Sequence, residues 1–124
     1  MKKKRPLSPH LSIYKPQISS ILSIAHRISG AFLFLGALIL SWLIYALIFY
    51  PKITEYNFFN GMIIDILLCC WSLALFFHLF NGIRHLFWDI SHGFSNKSMN
   101  LTGMIVVLLT IISAISTWFL MIYS

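Results

Sequence analysis

The chain has 124 residues, of which 59% are hydrophobic and 16% aromatic while only 10% are charged, and its mean hydropathy is +0.85. Those proportions exclude an ordinary water-soluble domain, in which about a quarter of the residues carry charge, and indicate an all-α integral membrane protein. The formal net charge of +6 does not indicate nucleic acid, because the excess lies beside the first apolar segment, where basic residues set topology and attract lipid headgroups.

Residues 1–22 read as a basic N-terminal arm, with Lys2, Lys3, Lys4, Arg5 and Lys15 interleaved with Pro6, Pro9 and Pro16. The basic start runs into prolines and polar residues rather than a short apolar core, so no cleaved signal is expected. Residues 23–124 read as a transmembrane domain of three helices, about 23–49, 59–88 and 101–123, each long enough for a bilayer that needs roughly 20 apolar residues. Pro51 stops the first helix, and Ser91, His92, Gly93 and Ser95 make the second connection polar. Connections this short make the helices antiparallel neighbours. Lysine and arginine crowd the arm and recur at Lys97, so the N-terminus is expected on the cytoplasmic or matrix side and the C-terminus on the periplasmic or intermembrane side.

Cys69 and Cys70 are adjacent on the second helix and point about 100° apart, so they cannot bridge and read as small apolar filler. Glu55, Asp65 and Asp89 are the only acids. With no phosphate-binding glycine loop, CxxC pair, serine elbow or paired carboxylates, hydrolytic chemistry has no groups to work with. Asp65 falls in the first turns of its helix, where negative charge is favoured.

The first helix opens on Ser19-Ser20-Ile-Leu-Ser23-Ile-Ala-His26-Arg27-Ile-Ser29-Gly30. Ser20, Ser23 and Arg27 recur at i, i+3 and i+7 and share a face near the membrane surface. A hydroxyl and a guanidinium at that boundary suit the oxygens of a quinone arriving from the bilayer. The same residues are equally compatible with Ser19 or Ser20 capping the helix and Arg27 snorkelling to water.

The second helix closes on His78-Leu-Phe-Asn-Gly-Ile-Arg-His85-Leu-Phe-Trp-Asp89. Ionisable groups within a span are costly and mark function, and neutral imidazole coordinates iron without carrying charge into the bilayer. His78 and His85 share a face but lie about 10.5 Å apart along the axis, too far to be the two axial ligands of one iron. His78 is expected deepest, with no other histidine at its level, so a six-coordinate haem there takes its second ligand from another polypeptide. His26, Arg27, Arg84 and His85 are expected together nearer the cytoplasm, where cationic donors suit haem propionates. Gly82, one turn past His78, admits close approach of a flat ring or another helix. The alternative has His78 bonded to a backbone carbonyl, His85 paired with Asp89, and Arg84 snorkelling.

These two stretches, with Arg5-Pro-Leu-Ser-Pro-His10-Leu-Ser-Ile-Tyr14 in the arm, resemble the cytochrome b membrane-anchor subunits of succinate dehydrogenase, respiratory complex II, in their mitochondrial and alphaproteobacterial branch. The resemblance spans nearly the whole chain. It implies a multi-pass subunit of the bacterial cytoplasmic or mitochondrial inner membrane, whose three helices join a second small anchor subunit in one bundle. It further implies one haem b shared between the two anchors, ubiquinone as substrate, and association with an iron–sulfur subunit and a flavoprotein in the respiratory chain and tricarboxylic acid cycle. His78 matches the haem axial ligand, and Ser23 and Arg27 match the quinone-site serine and arginine. His26, His85 and Arg27 match the propionate region. No catalysis is implied for this chain alone, and with the arm starting almost at Met1 no transit peptide is expected. An anchor of a fumarate reductase, or a non-redox assembly or transport subunit whose polar residues join helices, are the competing readings.

Overall fold

The structure, a computed structural model, describes residues 16–52 and 61–123. Three helices account for its regular structure: α1 (Ile18–Phe49), α2 (Met62–Asp89) and α3 (Asn96–Tyr123). All three are long and apolar enough to cross a membrane. Residues 1–15 of the expected arm, and the expected start of the second helix near residue 59, lie outside the described residues.

Two helices begin earlier than hydropathy indicates, α1 at Ile18 rather than Ser23 and α3 at Asn96 rather than Leu101. Hydropathy reports the stretch that is comfortable in hydrocarbon, whereas backbone hydrogen bonding carries a helix on through polar residues at the interface. Gln17 is extended (φ −96°, ψ 143°) and its carbonyl accepts from the N–H groups of Ser20 and Ile21. Ser19 and Ser20 therefore lie inside the first turn and do not cap it. At α3 a side-chain cap does form, with Ser95 Oγ accepting the Ser98 N–H at 3.2 Å.

The turn from α2 to α3 is a Schellman closure. The Ser91 N–H donates to the Trp88 carbonyl and the His92 N–H to the Phe87 carbonyl, with Ser91 itself at φ 62°. Gly93 follows at φ 84°, so two left-handed residues reverse the chain within the span Ile90–Ser95. The two helices consequently pack antiparallel.

α2 packs against both neighbours, and α1 and α3 touch over a shorter length. Small residues permit the close approaches. A Cβ at Gly103 of α3 would lie 2.9 Å from Leu22 Cδ1 of α1, and one at Gly36 would collide with the Trp71 indole, which fills the notch that glycine leaves. Among the described residues the buried apolar side chains are only Leu22, Val106 and Ala114, while large apolar side chains cover the outside of the bundle. An apolar exterior of this kind is at home in lipid and contributes little to holding the helices together.

Polar groups supply what apolar burial does not. Asn81 of α2 is fully buried (0% exposed) and Arg84 nearly so (4%). Asn81 Nδ2 donates to the Leu22 carbonyl of α1 at 3.2 Å, and its Oδ1 accepts from Arg84 Nη1 at 3.3 Å. Arg84 Nε donates to Thr102 Oγ1 at 3.1 Å and Nη2 to the Met99 carbonyl at 3.0 Å, both on α3. The guanidinium also lies 4.2 Å from the centre of the Trp88 ring. Arg84 is thus turned into the α2–α3 interface, which corrects the expectation that it snorkels to water. The reason is that three neutral acceptors and an aromatic face are within reach inside the bundle.

Arg84→Ala should lower the stability of the membrane-embedded protein by about 1–3 kcal/mol, the cost of leaving buried polar partners unmade. Arg84→Lys should recover only part of it, since an ammonium lacks the planar fork that reaches three acceptors. Thermal unfolding in detergent checks both, and an Arg84→Ala transition equal to wild type would contradict the assignment.

Candidate functional site

Three histidines converge where the first turns of α1 meet the later turns of α2. His26 projects from α1 onto His78 of α2, their rings stacked with centroids 4.0 Å apart and planes within 9°. His85 lies on the other side of His26, at 5.3 Å and tilted by 41°, and stands edge-on to Trp88 at 4.9 Å. The depth expectation is corrected here, because His26 reaches the level of His78. With α1 starting at Ile18, His26 stands about 12 Å into the helix, between the levels of His85 and His78 measured back from Asp89.

The protonation of His78 follows from its partners. Its Nδ1 lies 3.1 Å from the His26 carbonyl and 3.1 Å from Ser29 Oγ. A carbonyl only accepts, so Nδ1 carries the proton and donates. The Ser29 hydroxyl gives its own proton to the same carbonyl at 2.8 Å, which leaves its oxygen as a second acceptor. By this hydrogen-bond assignment, neutral His78 is the Nδ1–H tautomer and Nε2 holds the lone pair.

The His78 ring fills the notch left by Gly30, one residue beyond Ser29. A Cβ there would sit 2.9 Å from His78 Cε1 and 3.8 Å from Nε2. At Gly82 the added Cβ would meet only His26 Cε1, at an ordinary 3.6 Å, so the close approach expected at Gly82 is to His26. His26 Nδ1 is buried without a hydrogen-bond partner.

Ser23 is half-buried and Arg27 exposed on α1, and among the described residues neither has a hydrogen-bond partner. A groove of about 400 Å³ between α2 and α3, lined by Phe80, Arg84, Trp88, Thr102, Val106 and Leu109 among others, includes neither of them. Nor does the cleft of about 560 Å³ between the start of α1 and α3, lined by Gln17, Ser19, Asn96 and Asn100 among others.

Chemically, the site offers one well-defined metal donor. Among the described residues no three histidine, cysteine or acidic side chains gather around a point that could hold a bare ion. A metal that brings its own in-plane donors needs only one ligand here. His26, stacked face to face on His78 at 4.0 Å, leaves no room for a metal between the two rings. The sequence reading missed Ser29, Asn81 and Thr102. Ser29 was visible as the i+3 neighbour of His26, on the face of α1 that meets α2.

The family described as succinate dehydrogenase/fumarate reductase transmembrane subunit matches residues 1–117. The chain is 53% identical over 116 residues to the succinate dehydrogenase cytochrome b556 subunit of Rickettsia felis, covering 93% of this chain and 91% of the relative. It is 51% identical over 118 residues to the Rickettsia bellii subunit of the same name, with the same coverage. It is also 38% identical over 116 residues to the succinate dehydrogenase cytochrome b560 subunit of Marchantia polymorpha, covering 86% of this chain and 83% of that protein. The histidine-bearing α1–α2 contact is therefore that of a family member: this chain belongs to the succinate dehydrogenase/fumarate reductase transmembrane subunits.

Proposed function

We propose that the chain is the cytochrome b anchor of a succinate:ubiquinone oxidoreductase, holding one haem b jointly with a second anchor subunit and forming part of the ubiquinone-reduction site. The observation that carries this reading is His78, whose Nδ1–H is committed to two oxygen acceptors while Nε2 remains a lone-pair donor, on a ring that Gly30 leaves room for. The residues present fit a haem: a single neutral imidazole donor, a glycine where a side chain would intrude, and an unpartnered His26 Nδ1 nearby. When bound, the haem supplies one-electron redox capacity within the membrane.

The residues of this chain then have separable tasks. His78 would hold the iron through Nε2, and a further ligand would come from the partner anchor, because His26 is stacked on the His78 ring rather than free beside it. Ser23 donates a hydrogen bond to a ubiquinone oxygen, and Arg27 stabilises negative charge developing there or on a propionate. His26 and His85 stand at the propionate region. That neither Ser23 nor Arg27 has a partner among the described residues, and that neither of the two grooves includes them, supports a site completed by another subunit. An iron–sulfur subunit and a flavoprotein deliver the electrons of succinate from the cytoplasmic or matrix side. The basic N-terminus faces that side.

In the complex purified with this chain, His78→Ala should abolish or alter the low-spin b-type signal in the dithionite-reduced minus oxidised spectrum, and an unchanged spectrum removes His78 as ligand. Gly30→Ala, which crowds His78 Cε1, should reduce haem retention measured as haem per complex; full retention would mean that the ring has room to shift. Ser23→Ala should lower quinone reduction about tenfold, the worth of one hydrogen bond, with the haem spectrum intact. Loss of the b-type spectrum in that variant would sink the separation of roles.

A further inference from the structure

We propose that Ser29 is a positioning residue for the iron ligand: its hydroxyl oxygen, paired with the His26 carbonyl, fixes His78 in the Nδ1–H form and strengthens Nε2 as a donor. The inference rests on the reading of His78 as haem ligand and extends it to a residue one shell away. Ser29 is itself buried (7% exposed), so its hydroxyl has no water to turn to. The hydroxyl proton goes to the His26 carbonyl three residues back, at 2.8 Å. The oxygen so oriented faces His78 Nδ1 at 3.1 Å, and the carbonyl faces the same nitrogen at 3.1 Å. One N–H therefore meets two acceptors, and both are held by a single turn of α1.

Two consequences follow for the imidazole. Its tautomer is set before any metal arrives, since the alternative form would put a lone pair against the His26 carbonyl, which only accepts, and would require the Ser29 hydroxyl to leave that carbonyl. Electron density drawn toward Nδ1–H acceptors also raises the basicity of the ligating nitrogen, as second-shell partners of metal-bound histidines do. A more basic ligand favours the ferric over the ferrous state. Ser29 thus acts on the redox poise of the iron through His78, without touching haem or quinone. The separation from quinone chemistry is geometric: Ser29 is buried against α2, whereas Arg27 is exposed on another side of α1.

The test is an optically monitored redox titration of the haem in the intact complex, comparing wild type, Ser29→Ala, Ser29→Thr and His78→Ala. Ser29→Ala should raise the midpoint potential by about 59 mV, a tenfold shift in ferric-to-ferrous preference for a one-electron couple. Ser29→Thr keeps the hydroxyl and should titrate near wild type. A Ser29→Ala potential equal to wild type overturns the proposal, as does a Ser29→Thr shift as large as that of Ser29→Ala. Should Ser29→Ala retain no haem, Ser29→Thr decides: haem held at the wild-type potential supports the role, and haem lost overturns it. His78→Ala separates the two levels of inference, because a wild-type spectrum there removes the ligand assignment itself. Loss of that spectrum alongside an unshifted Ser29→Ala removes only the role of Ser29.

Discussion

The hydrogen-bonded chain running from the Leu22 carbonyl through Asn81 and Arg84 to Thr102 and the Met99 carbonyl is the constraint on which the arrangement of this bundle depends. Apolar surfaces gain little from meeting one another when lipid tails are the alternative, so the many outward-facing leucines, isoleucines and phenylalanines do not choose a register. A polar chain that touches all three helices does. It also converts a liability into order, since a guanidinium inside a membrane protein persists only where donors and charge are met by acceptors and π-density. Arginine suits that position better than lysine because its charge is delocalised over a plane, is weakly hydrated, and reaches three acceptors in fixed directions.

The histidine cluster inherits its geometry from this network. His78 lies three residues before Asn81 on α2, and His26 lies four residues after Leu22 on α1, so the stack stands about one helical turn from the Asn81–Leu22 hydrogen bond. A slip of one residue would turn either helix by about 100° and separate the His26 carbonyl from His78 Nδ1. If His78 holds iron as proposed, its hydrogen-bond partners must be placed within about half an ångström, and the fully buried Asn81 amide next door provides that stiffness.

Much of this was legible in the residues. Length and apolarity marked the spans, the short polar connection implied the α2–α3 hairpin, and ionisable residues within the spans singled out His26, His78 and His85, though with His26 beside His85 rather than His78. The depth of His26 was misread because hydropathy placed the start of α1 at Ser23, whereas the backbone is already helical at Ile18, and five extra residues carry His26 inward by about 7.5 Å. Arg84 was misread for a different reason. Snorkelling is the default for arginine near a helix end, and only the three-dimensional proximity of Thr102, Met99 and Trp88 offers a better alternative. Ser29 looked like one more helical serine. Its importance comes from a residue 49 positions away in sequence, a relation that periodicity along one helix does not encode.

The asymmetry of the bundle bears on how the complex is assembled on the proposed reading. Between α2 and α3 the buried guanidinium is answered: Arg84 has three hydrogen-bond partners, and Thr102 accepts from it while donating back to its own helix. On α1 the balance is reversed, with Arg27 exposed, Ser23 unpartnered and His26 Nδ1 buried without a partner. Unmet polar groups are expensive against lipid and inexpensive against a protein surface that answers them. A second anchor that brings an axial ligand for the iron therefore gains most by covering α1 and the α1–α2 contact, where it also closes a pocket around Ser23 and Arg27.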